Sequence, residues 1–145
     1  MPHAASLATA CVLNGRLYVI GGYLSNKLQV LEMTEENGLS WSCKADLPDE
    51  RCHAASVVHE GKIWVMGGLV NSQPSASVSI YDPEADVWEA APPLPRPCIG
   101  CRAVTTMEER ILLFGSHSFK YENAAWSTAE TPMAIFAVWG SIQLG

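Results

Sequence analysis

The sequence predicts an all-β repeat protein of about three consecutive four-stranded antiparallel units. Three observations carry this. A double glycine closes an apolar run twice, at Gly21-Gly22 and Gly67-Gly68, a step of 46 residues (67 − 21). Trp41 and Trp88 lie 47 apart (88 − 41), as do Leu47-Pro48 and Leu94-Pro95. Between these landmarks short apolar or β-branched runs alternate with turn residues, and no segment reads as a long helix.

The elements follow in order from local chemistry. The first strand of each unit, Thr9 to Leu13 and Ala54 to His59, is small and β-branched, which suits a strand packed closely on its counterparts. Asn14-Gly15 is a strong hairpin signal, because a type I′ turn needs positive φ at both central residues. The second strand, Arg16 to Ile20 and Lys62 to Met66, is almost continuously apolar, as expected of a strand covered on both faces. The double glycine comes next, where no side chain fits or the backbone turns sharply. The third strand, Leu28 to Met33 and Val78 to Tyr81, runs into a polar turn, Thr34 to Gly38 or Asp82 to Asp86. The outer strand carries Trp41, Trp88 or Trp126, and these with Tyr81 are expected to fill the core.

A third copy, Glu109 to Ser116, places Gly115 48 residues after Gly67 (115 − 67). It is degenerate: Ser116 replaces the second glycine, and Glu109 stands at the turn-glycine position. Trp126 and Pro132-Met133 supply its remaining landmarks. A period near 47, a double glycine after an apolar run and a Trp 20 residues later (88 − 68) resemble the kelch repeat. WD40 arrays expect Gly-His and Trp-Asp pairs, which are missing.

The resemblance implies propeller blades, with the first strand of each nearest the axis. Residues 1–48 form the first repeat, 49–95 the second, 96–133 the degenerate third, and 134–145 the start of a fourth. Closed propellers have about 4 to 8 blades, so a partial kelch β-propeller is expected. Its open blade faces invite self-association, because unpaired edges pair unless covered.

Composition limits the partners. The chain has 145 residues, 48% hydrophobic and 17% charged, which is that of a folded globular protein. A net charge of −6, with scattered Lys and Arg, argues against nucleic acid and against anionic lipid. No apolar run is long enough to span a bilayer, and the small apolar stretch Ala4 to Leu13 lacks the positive flank of a signal peptide. Cys11, Cys43, Cys52, Cys98 and Cys101 form an odd, irregular set, unlike a disulfide framework. A reducing, cytoplasmic setting is the simplest expectation.

Motifs for catalysis are missing. Cys98-Ile99-Gly100-Cys101 is a single CxxC, whereas a structural zinc site needs four ligands, so buried apolar thiols are expected. His3, His53, His59 and His117 fall in different repeats and loops, although His53 and Cys101 take equivalent places near the axis. There is no Gly-x-Ser-x-Gly elbow, P-loop, His-Glu-x-x-His or dinucleotide fingerprint. Most carboxylates sit in turns and read as a solvated rim. No metal, cofactor or catalytic residue is expected.

What remains is a binding surface. The resemblance points to the loops after each double glycine, Tyr23 to Lys27, Leu69 to Ser75 and Ser116 to Ser118, and to the lead-in arginines Arg51 and Arg96. Candidate binding residues are Arg51, Arg96, Tyr23, Asn26, Asn71, Gln73 and His117. In peptide-binding members such arginines contact acidic motifs, through a guanidinium fork matched to a carboxylate; the other use for them is to bind carbonyls of a neighbouring loop. The expected function is protein–protein interaction. Family resemblance alone extends this to substrate recognition in a cullin-type ubiquitin ligase adaptor. The rival classes are an enzyme or small-molecule binder of oxidase or mutarotase type using the central channel, and a truncated, non-functional copy.

Overall fold

A computed structural model describes residues 1–115 and 117–129, and every regular element among them is a strand. The first sheet contains β1 (Thr9–Leu13), β2 (Arg16–Ile20), β3 (Leu28–Thr34) and β4 (Gly38–Cys43), in that order. A short β5 (Arg51–Cys52) precedes β6 (Ala55–His59) and β7 (Lys62–Met66); β8 (Leu69–Val70) and β9 (Gln73–Pro74) come before β10 (Val78–Asp82) and β11 (Val87–Ala91). The second four-stranded sheet runs β6-β7-β10-β11, while β5, β8 and β9 form a separate three-stranded ribbon. The third sheet holds β12 (Arg102–Thr105), β13 (Ile111–Phe114), β14 (Phe119–Glu122) and β15 (Ala125–Thr128). Each four-stranded sheet is an antiparallel meander, the blade of a propeller. The expected fourth repeat, Pro132-Met133 and Ser116 lie outside the described residues.

Turn chemistry fixes the registers. Asn14 and Gly15 (φ 51° and 73°) and Glu60 and Gly61 (51° and 72°) make two-residue hairpins, setting Leu13 opposite Arg16 and His59 opposite Lys62. The third blade differs. Thr106 donates its N–H to the Arg110 carbonyl at 2.8 Å, leaving a three-residue loop in which Glu109 takes φ 60°. The longer loop ends in a left-handed position where glycine would be the relaxed choice.

The core lies between blades. Side chains alternate along β7, so Ile63 and Val65 join Leu13, Tyr18, Ile20, Leu28 and Val30 between blades one and two. Trp64 and Met66 face the other way, joining Val78, Ile80, Ile111, Leu113 and Phe119 between blades two and three. A two-faced strand explains the unbroken apolar run, and each fully buried large side chain contributes about 1.5–3 kcal/mol. Near the axis, hydroxyls cross-link the innermost strands: Thr9 Oγ1 meets Ser56 Oγ at 2.6 Å, and Thr105 Oγ1 donates to the Val58 carbonyl at 2.8 Å.

The outer tryptophans reach back to the preceding blade. Trp88 Nε1 donates to the Ala45 carbonyl and Trp126 Nε1 to the Pro92 carbonyl, each at 2.9 Å. Trp41 pairs opposite Leu31 and is half-buried. One expectation needs correcting. The sulfurs of Cys98 and Cys101 are bonded to each other as a disulfide, not held as separate thiols. Gly100, at φ 67°, gives the turn that brings the two together.

Candidate functional site

The double glycines build one face of the molecule. Gly22 donates its N–H to the Arg51 carbonyl at 2.7 Å, and Gly68 donates to the Cys98 carbonyl at 2.6 Å. A Cβ on Gly21 would fall on the Arg51 carbonyl oxygen, and one on Gly67 would fall on that of Cys98. Each double glycine therefore receives the segment leading into the next blade, and the two backbones touch. In the third copy Gly115 abuts the Cys101 side chain instead.

Arg51 closes this junction from within. It is 3% exposed, and its Nη1 donates to the Gly67 and Ser77 carbonyls at 2.8 and 3.0 Å. Nη2 donates to Ser77 Oγ at 2.7 Å. The guanidinium thus binds carbonyls of the loop between β7 and β10, and burial lowers its pKa against the opposing pull of Asp49. Arg96 is the contrast: it is exposed, with no ion pair or hydrogen bond among the described residues.

The other candidates divide in the same way. Tyr23 and Leu24 are 59% and 64% exposed, and border a shallow notch with Leu69 and Ser72. Asn71 and Ser72 form the tip of the β8–β9 hairpin, at φ 49° and 67°, and Gln73 is exposed beside them. Asn26 is a brace rather than an open group: its Nδ2 donates to the Leu47 carbonyl at 3.3 Å while its own carbonyl accepts from Leu47 N–H at 2.8 Å. His117 is exposed on the third blade, its ring 6.2 Å from that of Phe119. The structure therefore gathers Tyr23, Arg51 and, from the hairpin tip, Ser72 around one notch; Asn71, Gln73, Arg96 and His117 do not line it.

The sequence reading missed the ribbon of β5, β8 and β9, since its strands have two residues each, too few to show alternation. It named a central channel without most of its lining, and the structure shows two concave regions. One is an axial cleft of about 530 Å³ between the innermost strands, lined by small residues with His53, Cys101 and Arg102. The other lies between the β6–β7 hairpin of blade two and the β12–β13 and β14–β15 turns of blade three, around His59. The one cysteine lining either region among the described residues, Cys101, is held in the disulfide.

Comparison with known proteins agrees with this architecture. The kelch motif matches residues 4–33 and 50–95. A kelch repeat-containing protein of Arabidopsis thaliana is 28% identical over 147 residues, covering 96% of this chain and 35% of the relative. Kelch-like protein 35 of Mus musculus is 34% identical over 121 residues, covering 79% of this chain and 19% of the relative. The chain thus spans about a third or less of these relatives. Among solved structures, that of YjhT superposes with a TM-score of 0.75 at 16% identity, over 92% of this chain and 54% of that one, a likeness of fold. No helix among the described residues is long and apolar enough to cross a membrane. Double glycines that dock the next blade, back-reaching tryptophans and the matched motif together place the chain in the kelch-repeat family.

Proposed function

We propose that the chain is a protein-interaction module that presents its double-glycine loops to a protein or peptide partner. The observation that carries this is the notch at Tyr23 and Leu24, an exposed aromatic and aliphatic pair held beside the polar Asn71–Gln73 tip. Such apolar anchors inside a polar rim are the usual source of binding energy at interfaces. The backbone bonds from Gly22 and the Arg51 clamp hold this face before a partner arrives, which lowers the ordering cost of association. Arg96 supplies an open guanidinium for a carboxylate, so an acidic motif is the preferred ligand.

A panel of acidic and neutral peptides, with affinity read by calorimetry, tests this. Tyr23→Ala with Leu24→Ser should weaken the best ligand at least about tenfold. Arg96→Ala should weaken acidic ligands selectively. Unchanged affinity in a folded Tyr23/Leu24 variant overturns the reading. Service in a cullin-type ubiquitin ligase adaptor, in the cytoplasm, is the finer form of this proposal and rests on family membership. A second reading, a small-molecule binder, is favoured by the axial cleft alone, where Arg102 and His53 are the long polar side chains. Ligand binding abolished by Arg102→Ala and untouched by Tyr23→Ala would select it.

A further inference from the structure

His59 ends β6 and is 4% exposed, yet its Nδ1 has no hydrogen-bond partner. Unpaired buried polar atoms are rare in folded proteins, because each forfeits its bonds to water. Two carboxylates flank this imidazole. Glu109 Oε2 lies 3.9 Å from Nδ1, and Glu60 Oε1 lies 3.9 Å from Nε2. Both distances are too long for hydrogen bonds. One ligand atom from each of the three residues falls within 4.8 Å of the other two.

We propose that His59, Glu60 and Glu109 form a binding site for a divalent first-row metal ion of the zinc class, bridging the hairpins of blades two and three. Tetrahedral bonds of about 2.1 Å place two ligand atoms of one ion about 3.4 Å apart, so carboxylate movements of roughly one to one and a half ångströms close the set. The glutamates have that freedom, being 72% and 68% exposed. The imidazole does not. Its ring stands edge-on to Trp64 at 5.4 Å and to Tyr121 at 6.4 Å, so the buried donor is fixed and the exposed ones move to it.

The surrounding charges favour a cation. Arg110 is paired with Glu108 and Glu122, Lys120 with Glu122, and Lys62 with Glu89. Among the described residues no lysine or arginine is paired with Glu60 or Glu109, so two carboxylates face a space of about 290 Å³. An imidazole donor selects zinc, cobalt or nickel over calcium and magnesium, which take oxygen ligands. Three protein ligands leave a position open to water or to a carboxylate of a bound partner. The ion would tie β6 and its hairpin to the loop before β13 across the blade boundary.

Cobalt and zinc titrations of the full chain test this, beside Glu60→Gln/Glu109→Gln. Those substitutions lie on exposed side chains, and an unchanged melting temperature without metal verifies that the variant folds. The expected result is cobalt d–d absorption without a thiolate charge-transfer band, displacement by zinc, and a zinc-induced rise in melting temperature. The double variant should bind at least about tenfold more weakly. Equal affinity in the double variant, a thiolate band that assigns the metal to cysteines, or no binding at millimolar zinc overturns the proposal.

Discussion

Blades one and two meet through Tyr18, Tyr81 and Trp88, and blades two and three meet through Trp64, Tyr121 and Trp126. The spacings nearly repeat: Tyr81 to Trp88 and Tyr121 to Trp126 are each 5.1 Å between ring centroids. Trp64 approaches Tyr121 to 4.9 Å, whereas the smaller Tyr18 stays 6.2 Å from Tyr81. The polar edges differ in kind. At the first boundary Tyr81 Oη donates to Asp86 Oδ1 at 2.6 Å, and the same oxygen accepts the Ala45 N–H at 2.9 Å. At the second, a shorter turn with Asn123 and Ala124 at φ 52° and 60° offers no such carboxylate. There the polar feature is His59, at the place where blade one has Leu13. One outer edge is closed by the Tyr81–Asp86–Ala45 hydrogen bonds; the other leaves a buried imidazole nitrogen without a partner beside two exposed carboxylates. The repeat thus fixes the aromatic packing and leaves the edge free to vary.

The largest effect should come from the second glycine of each pair, where the loop packs against the backbone leading into its own blade. A Cβ on Gly68 would meet the Cys52 carbonyl and, at 2.8 Å, the Ala54 nitrogen, with φ at 82°. Gly68→Ala is expected to cost at least about 3 kcal/mol, measured by urea unfolding. Gly22→Ala should cost less, since its nearest new neighbour, the Ser6 carbonyl, stands at 3.0 Å. A reversed order would mean that Gly68 is not packed more tightly on its lead-in segment than Gly22. Arg51→Ala comes next. It removes three charge-assisted hydrogen bonds from a buried site, and a loss of about 2–3 kcal/mol is expected by the same measurement. A negligible loss would show that the clamp does not hold this loop face together.

The blades were legible in the sequence because their signals are local and repeated. Gly21-Gly22, Gly67-Gly68, Trp41, Trp88 and the apolar runs before them each report one position in a blade. The candidate site was legible only as a set of loops. Whether Arg51 points out or in depends on where Ser77 stands, 26 residues later, and no pattern along the chain reports that distance. His59 was hidden for the same reason: its neighbours Tyr121 and Glu109 come from the next repeat. Glu109 did leave a trace, as a carboxylate at a turn-glycine position. The Cys98–Cys101 disulfide was misread as buried thiols for a related reason, because one CxxC fits a thiol pair and a disulfide equally well.

Tyr81→Phe and Tyr121→Phe separate the two boundaries directly. The first deletes the bond to Asp86 and should cost about 1 kcal/mol; the second deletes a hydroxyl with no hydrogen bond among the described residues and should cost under about 0.5 kcal/mol. Equal losses would erase the distinction. Acid unfolding gives a second reading. Asp86 lies below its usual 3.8, held there first by the Ala45 N–H and then by Tyr81. A depressed carboxylate contributes stability that is complete above the unfolded value and lost as pH falls through the lower folded one. The contribution should therefore fade only below about pH 4, and Asp86→Asn should flatten that part of the profile. An unaltered acid limb in Asp86→Asn would place the sensitivity elsewhere.

The smallest effect concerns the second boundary alone. Glu109 holds φ 60° in the β12–β13 loop, where Gly15 and Gly61 serve the corresponding hairpins of blades one and two. A left-handed conformation costs a non-glycine residue about 1–2 kcal/mol, partly offset in Glu109→Gly by the greater freedom of glycine in the unfolded chain. The metal-free variant should be more stable by roughly 0.5 kcal/mol. The gain would show that Glu109 strains the apo fold, as a side chain retained for a ligand does. A loss instead would mean that its approach to His59 already stabilises the unliganded boundary, and the two edges would then differ in composition but not in purpose.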